Sequence, residues 1–369
     1  MSLRKNNWMY VLVVACVTGL LLLLPSHQRE AGRDAVPRAR VRILSVDNSM
    51  LDPLGLVFTG VQACRVEIMD GAHKGRTADA QNYLNGALDK DKLYEEGDVV
   101  IAMIHDNSKG VSASLVDHDR RGVMGLLVGL LALFIIFFGG ASGVGALVSL
   151  AMTCVLIWKA YIPLMLRGYS PVWTALGLVC VMTVVITILV AGPNKRGVTA
   201  MLGAFGGTIV TVTLAVLFTR LFNVDGGGLP YIVPLLSQSG MRFDMNQLFL
   251  STMFVGNAGA VIDLAMDISA GCTEVIRHAP DITSRELMKS GFNIGRMDTG
   301  TMTTTLVMAY AGSFLSMLLY FSAQGTPLID ILNYRFVASE IMVTLVGCFG
   351  LVSAAPLTSV IASRVMVSK

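Results

Sequence analysis

The chain alternates long apolar runs with a single extended polar block. The apolar runs cover residues 8–25, 123–139, 142–165, 171–192, 198–221, 246–270, 299–322 and 337–362. A helix needs roughly 20 apolar residues to cross the hydrocarbon of a bilayer. The pattern therefore predicts an α-helical integral membrane protein with about eight transmembrane helices. Gly139-Gly140 separates the second and third runs and predicts a tight turn there. Gly192-Pro193-Asn194-Lys195-Arg196-Gly197 predicts a loop between the fourth and fifth. Pro163 and Pro356 fall inside apolar runs and predict kinks, because proline removes a helical N–H and crowds the preceding turn.

The polar block between the first and second runs has a different period. Arg40 to Val46 and Cys64 to Met69 alternate apolar and polar residues, the signature of a half-buried strand. Asp70 to Gly75 supplies turn residues and Arg76 to Ala80 resumes the alternation. A second turn at Glu96-Gly97-Asp98 precedes a strand from Val99 to Ile104, which leaves the stretch up to Asp119 as a short tether. Several short strands joined by glycine turns suggest a small, mainly β domain of the oligonucleotide/oligosaccharide-binding barrel type. The predicted organisation is an N-terminal anchor or uncleaved signal (1–25), a β domain (26–121) and a seven-helix bundle (122–369).

Charge sharpens this division. Residues 26–121 hold 28 of the 53 charged residues, whereas 122–369 hold 23. So long a segment with so few charges has no polar skin, which makes lipid its expected solvent. A net charge of +3 gives no reason to expect nucleic acid. Arg4 and Lys5 precede the first run without a small-residue cleavage site after it, which favours an uncleaved anchor. With the N-terminus inside, short inner segments hold ten Lys and Arg and short outer loops hold five. Positive residues concentrate on the cytoplasmic side, so both termini are expected inside and residues 26–121 outside, in a plasma membrane. Of the six cysteines only Cys64 lies in the β domain; the others read as small buried hydrophobes, and no spacing suggests a disulfide or a metal.

Between the sixth and seventh runs, Thr273 to Asp298 reads as a solvated inner loop, long enough to serve as a cytoplasmic arm or docking site. Thr283-Ser284-Arg285-Glu286 is a capping box that should start a short helix, and Gly291 and Gly295 are expected to end it.

Four stretches carry a resemblance. They are Leu164 to Pro171, Gly256 to Asp263, Ser290 to Arg296 and Thr299 to Leu306. Together they resemble the YibE/F-like family of bacterial membrane proteins, over about Asp117 to Lys369. The N-terminal anchor and outer domain are similar to the longer form of that family. The resemblance implies the architecture above and no particular activity. It also implies a partner, either a second copy or a shorter family member without the outer domain. One departure is local: Met297 stands between Arg296 and Asp298 where the family pattern runs directly from arginine to aspartate.

The candidate chemistry lies in the sixth and seventh runs. Asp263 and Asp267 are four residues apart and share a helix face. A carboxylate at the bilayer centre costs about 2.5–3.5 kcal/mol on insertion scales, so such groups usually face a bundle interior or a water cavity. Asn257 lies deeper, between Gly256 and Gly259. Asp298, Thr301, Thr305, Gly312 and Ser316 fall at helical spacing and could form a cavity wall facing Asp263, or simply bond neighbouring helices. Arg296 could pair with Asp298 or Asp267, and Glu340 with Arg335. Gly125/Gly129 and Gly203/Gly207 fit close helix packing. His105-Asp106 and Asp117-His118-Asp119 read as solvated strand ends, since their spacing matches no metal motif.

Two functions fit these residues. One is a transporter or permease for an ion or small polar solute, with Asp263 and Asp267 in the path. The other is a membrane scaffold or assembly factor that binds through its outer domain. An intramembrane hydrolase fits less well, because paired acid/base carboxylates need facing elements and these two lie on one helix. The chain is not expected to be an enzyme, and no cofactor is implied.

Overall fold

The computed structural model describes residues 2–23, 36–107, 110–239 and 244–367. The end of the first apolar run at Pro25, the polar stretch after it and the C-terminal Lys369 lie outside the described residues. The chain forms two compact units, Met1–Ser26 with Ile135–Lys369, and His27–Phe134.

The second of these units is built on a small β-barrel. Its strands are β1 (Arg38–Asp47), β2 (Leu51–Leu54), β3 (Val57–Ile68), β4 (Thr77–Asn85), β5 (Val99–Asn107) and β6 (Gly110–His118). They pair in the order β1-β5-β6-β4-β3-β2, and β1 also pairs with β3, which closes the ring. The β4–β6 pair is parallel and all others are antiparallel. The core is the inward-facing half of each alternating strand: Val41, Ile43, Cys64, Val66, Ile68, Ala78, Ala80, Val100 and Ala102. The expected alternation at 40–46, 64–69, 76–80 and 99–104 is present. The tether expected after Ile104 is not. That stretch turns back as β6 and supplies the closing pairs, so the barrel joins the first bundle helix through Asp119 and Arg120 alone. The sequence conceals β6 because its Ser112, Ser114 and Asp117 dilute the apolar alternation.

Polar residues also organise the barrel. Gln62 is fully buried, with its amide donating to Asn48 Oδ1 (2.9 Å) and the Tyr94 carbonyl (2.9 Å). It accepts from Asn82 and from the Tyr94 N–H, both at 3.1 Å. Asp117 bonds Lys92 and, at 3.0 Å, Arg120. Partial burial works against its charge, but the bonds from Arg120 and Lys92 hold its carboxyl well below the usual range. Asp119 takes Arg121 at 2.7 Å. Both aspartates are thus parts of an ionic clasp at the start of the first long helix, rather than solvated ends. Burial pushes the Cys64 thiol up to about 11.

Helix α1 is Ser2–Leu23, and α2 is Arg121–Leu156, whose part up to Phe134 belongs to the barrel's unit. The turn expected at Gly139-Gly140 divides α2. Gly140 adopts φ 53°, ψ −129°, a conformation open to glycine. The chain then doubles back so closely that a side chain on Gly143 would meet the Ile135 carbonyl. A π-helical turn at Ile157–Tyr161 leads into α3 (Ile162–Leu166), which has Pro163 in its first turn. Then follow α4 (Pro171–Ala191), α5 (Lys195–Leu221), α6 (Ile232–Ser239), α7 (Met245–His278), α8 (Ser284–Ser313), α9 (Leu315–Ala323), α10 (Leu328–Asn333) and α11 (Arg335–Val365). Among the described residues five helices are long and apolar enough to cross a membrane, or six if α8 and α9, bent by 61° at their break, count as one. The apolar part of α1, Trp8–Leu23, is shorter. Helix α11 continues through Pro356.

The long polar loop or arm expected between the sixth and seventh runs is mostly helix. Helix α7 runs on to His278, and α8 begins at Ser284 on the expected capping box, in which Thr283 and Glu286 bond each other's backbone N–H. Gly291 and Gly295 do not end this helix; they are buried inside it. A side chain on Gly291 would meet Ser359 Oγ at 2.8 Å, and one on Gly295 would meet Ala355 Cβ at 2.9 Å. These glycines are contact points that let α8 approach α11. Gly203 and Gly207 do the same for α5 against Thr358 and Ala354 of α11. Gly125 and Gly129 have open space around them. Cys272 and Cys348 are buried, but Cys16, Cys154 and Cys180 are exposed on outward helix sides, against the expectation of burial.

Candidate functional site

Helix α7 is the axis of the bundle. Most of its length is buried, including Met253, Phe254, Asn257, Val261, Ile262, Leu264, Ala265 and Ile268. One stripe is open: Thr252, Gly256, Gly259, Asp263 and Asp267 are exposed. Their spacing of four, three, four and four residues keeps them on a single side of the helix. The two aspartates expected to share a face do share it, and they occupy the only acidic positions of this stripe.

Neighbouring helices lie beside α7 in a fixed register. Gly271 approaches Ile294, Gly295 approaches Ile268, and Gly256 lies 3.3 Å (from an added Cβ) from the Tyr310 hydroxyl. Helices α7 and α8 are thus antiparallel, which puts Thr303 at the level of Asp263 and Asp298 at the level of Asp267. Among the described residues the Thr303 hydroxyl is buried without a hydrogen-bond partner. Asp298 and Arg196 are both within electrostatic reach of Asp267. Arg196 is in the first turn of α5, where Asn194 caps the helix by accepting from the Gly197 N–H at 3.0 Å. Its Nε is buried without a partner. Beside it a cavity of about 440 Å³ is lined by Ala191, Asn194, Lys195, Arg196, Thr273, Ile276 and Met366.

The other expected residues divide. Asn257 is buried, and it ties three helices together. It accepts from the Tyr310 hydroxyl of α8 at 3.2 Å and donates to the Val343 carbonyl of α11 at 3.4 Å, and Gly347 leaves room for its amide. Thr301 and Thr305 are exposed, and their hydroxyls donate back to the carbonyls of Asp298 and Thr301, both at 3.0 Å. Ser316 lies beyond the break between α8 and α9, off the stripe. Arg296 is exposed, and among the described residues no ion pair joins it to Asp267 or Asp298. It projects from another side of α8 because two residues turn a helix by about 200°. Arg196, from a distant part of the chain, is a cation within electrostatic reach of Asp267. Arg335 pairs with Asp225 at 3.3 Å rather than with Glu340, since five residues also separate helix faces. Sequence reasoning passed over Thr303, Arg196 and Tyr310. Thr303 carried a signal, as it stands in the hydroxyl-rich Thr301-to-Thr305 segment; Arg196 carried none, because its approach to α7 depends on packing.

Long apolar helices around a mostly buried central helix, together with a small β-barrel, suggest a chain of the membrane-protein class. A family model described as YibE/F-like protein matches residues 127–368, and the chain belongs to that family. No curated protein and no solved structure matches it.

Proposed function

We propose that this protein is a membrane-embedded transporter or permease for an ion or small polar solute, with the open stripe of α7 as part of the path. The observation that carries this reading is the exposure of Asp263 and Asp267 on the open stripe of a mostly buried helix. Each carboxylate held in hydrocarbon costs about 2.5–3.5 kcal/mol, whereas a water-lined path removes that cost. Eight spans follow if the Gly140 reversal divides α2 into two, α8 and α9 form one span, and α1 is an anchor. The excess of Lys and Arg in one set of loops orients both termini to the cytoplasm, with the barrel outside.

Single cysteines in a cysteine-free background test path and topology together. A membrane-impermeant thiol reagent should modify Leu56→Cys in the barrel only from outside and Asp281→Cys only in inverted vesicles. Gly259→Cys should react from at least one side. An inert Gly259→Cys would place the stripe against lipid and end the transport reading; reversed labelling of the first two would invert the topology.

Open glycines elsewhere support an oligomer. Gly125 and Gly129 of α2 have open space where side chains would be, and small residues let a second helix approach closely. The proposed partner is a second copy, with a shorter family member as the alternative. Mass measurement in mild detergent should show more than one chain per particle; a single chain at every concentration refutes the assembly.

A further inference from the structure

Glu340 has no role in the reading above, yet its position is unusual. It lies in the second turn of α11, half-buried, and its carboxylate has no hydrogen bond or ion pair among the described residues. The nearest cation in sequence, Arg335, is committed to Asp225 at 3.3 Å. Val343, whose carbonyl receives the Asn257 amide, is one turn further along α11. That contact fixes the rotation of α11 against α7 and puts Glu340 on the same side, one turn nearer the helix start. Tyr310 arrives there from α8. Its hydroxyl donates to Asn257 Oδ1 at 3.2 Å and has both Glu340 and Cys348 in its electrostatic neighbourhood.

Three helices thus meet at the Tyr310–Asn257 hydrogen bond, with the unpaired Glu340 carboxylate about one turn along α11 from the Val343 carbonyl that Asn257 reaches. The Tyr310 hydroxyl lies beside Gly256, within the open stripe of α7. From Asn257 to Asp263 is six residues, or about 9 Å along the axis at 1.5 Å per residue. Gly256 and Gly259 leave the helix surface bare over that interval, and the unsatisfied Thr303 hydroxyl waits at its end. Arg196 and the cavity beside it lie beyond Asp267, at the opposite end of the bundle from Glu340.

We propose that Glu340 and Tyr310, the latter anchored by Asn257, form one half of a proton path that continues over Gly256 and Gly259 to Asp263. Glu340 exchanges protons with water at the end of the bundle where α7 and α11 begin. The Tyr310 hydroxyl, held by Asn257 Oδ1 beside Gly256, takes a proton from Glu340 through water and releases its own to water over Gly256. Water over the two glycines completes the link to Asp263. This inference rests on the transport reading and names the proton as the ion that moves.

The full chain in vesicles loaded with a pH-sensitive dye, with potassium and valinomycin clamping the potential, tests it. After an acid pulse the wild type should acidify the lumen faster than protein-free vesicles. Glu340→Gln should slow this by about tenfold or more, the scale on which positioned acid/base groups act, and Glu340→Asp should recover part. Tyr310→Phe, which removes only the hydroxyl, should slow it by a smaller factor. If Asp263→Asn stops the flux but Glu340→Gln and Tyr310→Phe leave it unchanged, the path is wrong and the transport reading stands. Wild-type vesicles no faster than protein-free ones overturn the proton assignment as a whole. A second measurement does not depend on flux. Dicyclohexylcarbodiimide labels protonated carboxyls in apolar surroundings, and it should modify Glu340 at a rate that changes in Tyr310→Phe but not in Tyr169→Phe. An unchanged rate in Tyr310→Phe overturns the link between the two residues.

Discussion

Asp263→Asn is expected to abolish function in cells that lack the native copy, with a fall of about a hundredfold or more in any reconstituted flux. Asparagine matches aspartate in shape and removes only the ionisable oxygen, so folding and insertion should survive. The size of the effect follows from the role: a positioned group that takes up and releases a proton contributes about 10²–10⁴-fold, and an amide at neutral pH does neither. Asp263→Glu should retain part of the activity, because it keeps the carboxylate and shifts it by one methylene. Asp267→Asn should do less harm, because Asp267 lies one turn nearer the end of α7 with Arg196 and Asp298 in reach. The measurement is complementation or flux beside a size-exclusion profile of the purified variant. A fully active, well-folded Asp263→Asn protein would mean that this carboxylate is merely tolerated.

Gly295→Leu should be the most damaging single change in the bundle's packing. An added Cβ at this position would approach Ala355 Cβ at 2.9 Å and Ile268 Cδ1 at 3.0 Å, and a leucine would thrust three further carbons into the same seam. Overpacking of this kind costs about 1–3 kcal/mol, occasionally more. Helix propensity gives back at most about 1 kcal/mol, since leucine favours a helix over glycine. The clash therefore wins. Gly300→Leu is the internal control: it is one and a half turns along the same helix, where an added side chain meets nothing. There the propensity gain has no opposing clash, so stability should hold or rise slightly. Thermal unfolding followed by size exclusion distinguishes the two. Equal melting of Gly295→Leu and the wild type would show that α8 does not pack on α11 as described.

The division into apolar bundle and polar β domain was legible in the sequence because it rests on composition and period alone. Lipid-solvated helices lack charge, and half-buried strands alternate; neither depends on which element touches which. The capping box at Thr283, the turn at Gly140 and the shared face of Asp263 and Asp267 were legible for a similar reason, since each is fixed within four or five residues by backbone geometry. What the sequence misassigned were residues whose meaning is set by a partner far along the chain. Gly291 and Gly295 read as helix ends because glycine disfavours helix interiors, but contact with Ser359 and Ala355 rewards the missing side chain. The tether after Ile104 became β6 because barrel closure against β4 and β5 outweighs a weak local signal. The reach of Arg196 to Asp267, Asp225 as the partner of Arg335, and the Tyr310–Asn257 bond with Glu340 near it arise only when α5, α8 and α11 wrap around α7. Those pairings depend on helix rotation and register, which are set by small-residue contacts spread over more than a hundred residues. The sequence by itself determined what each segment is made of; the tertiary structure decided which side of α7 stays open, and that open side is where the candidate chemistry lies.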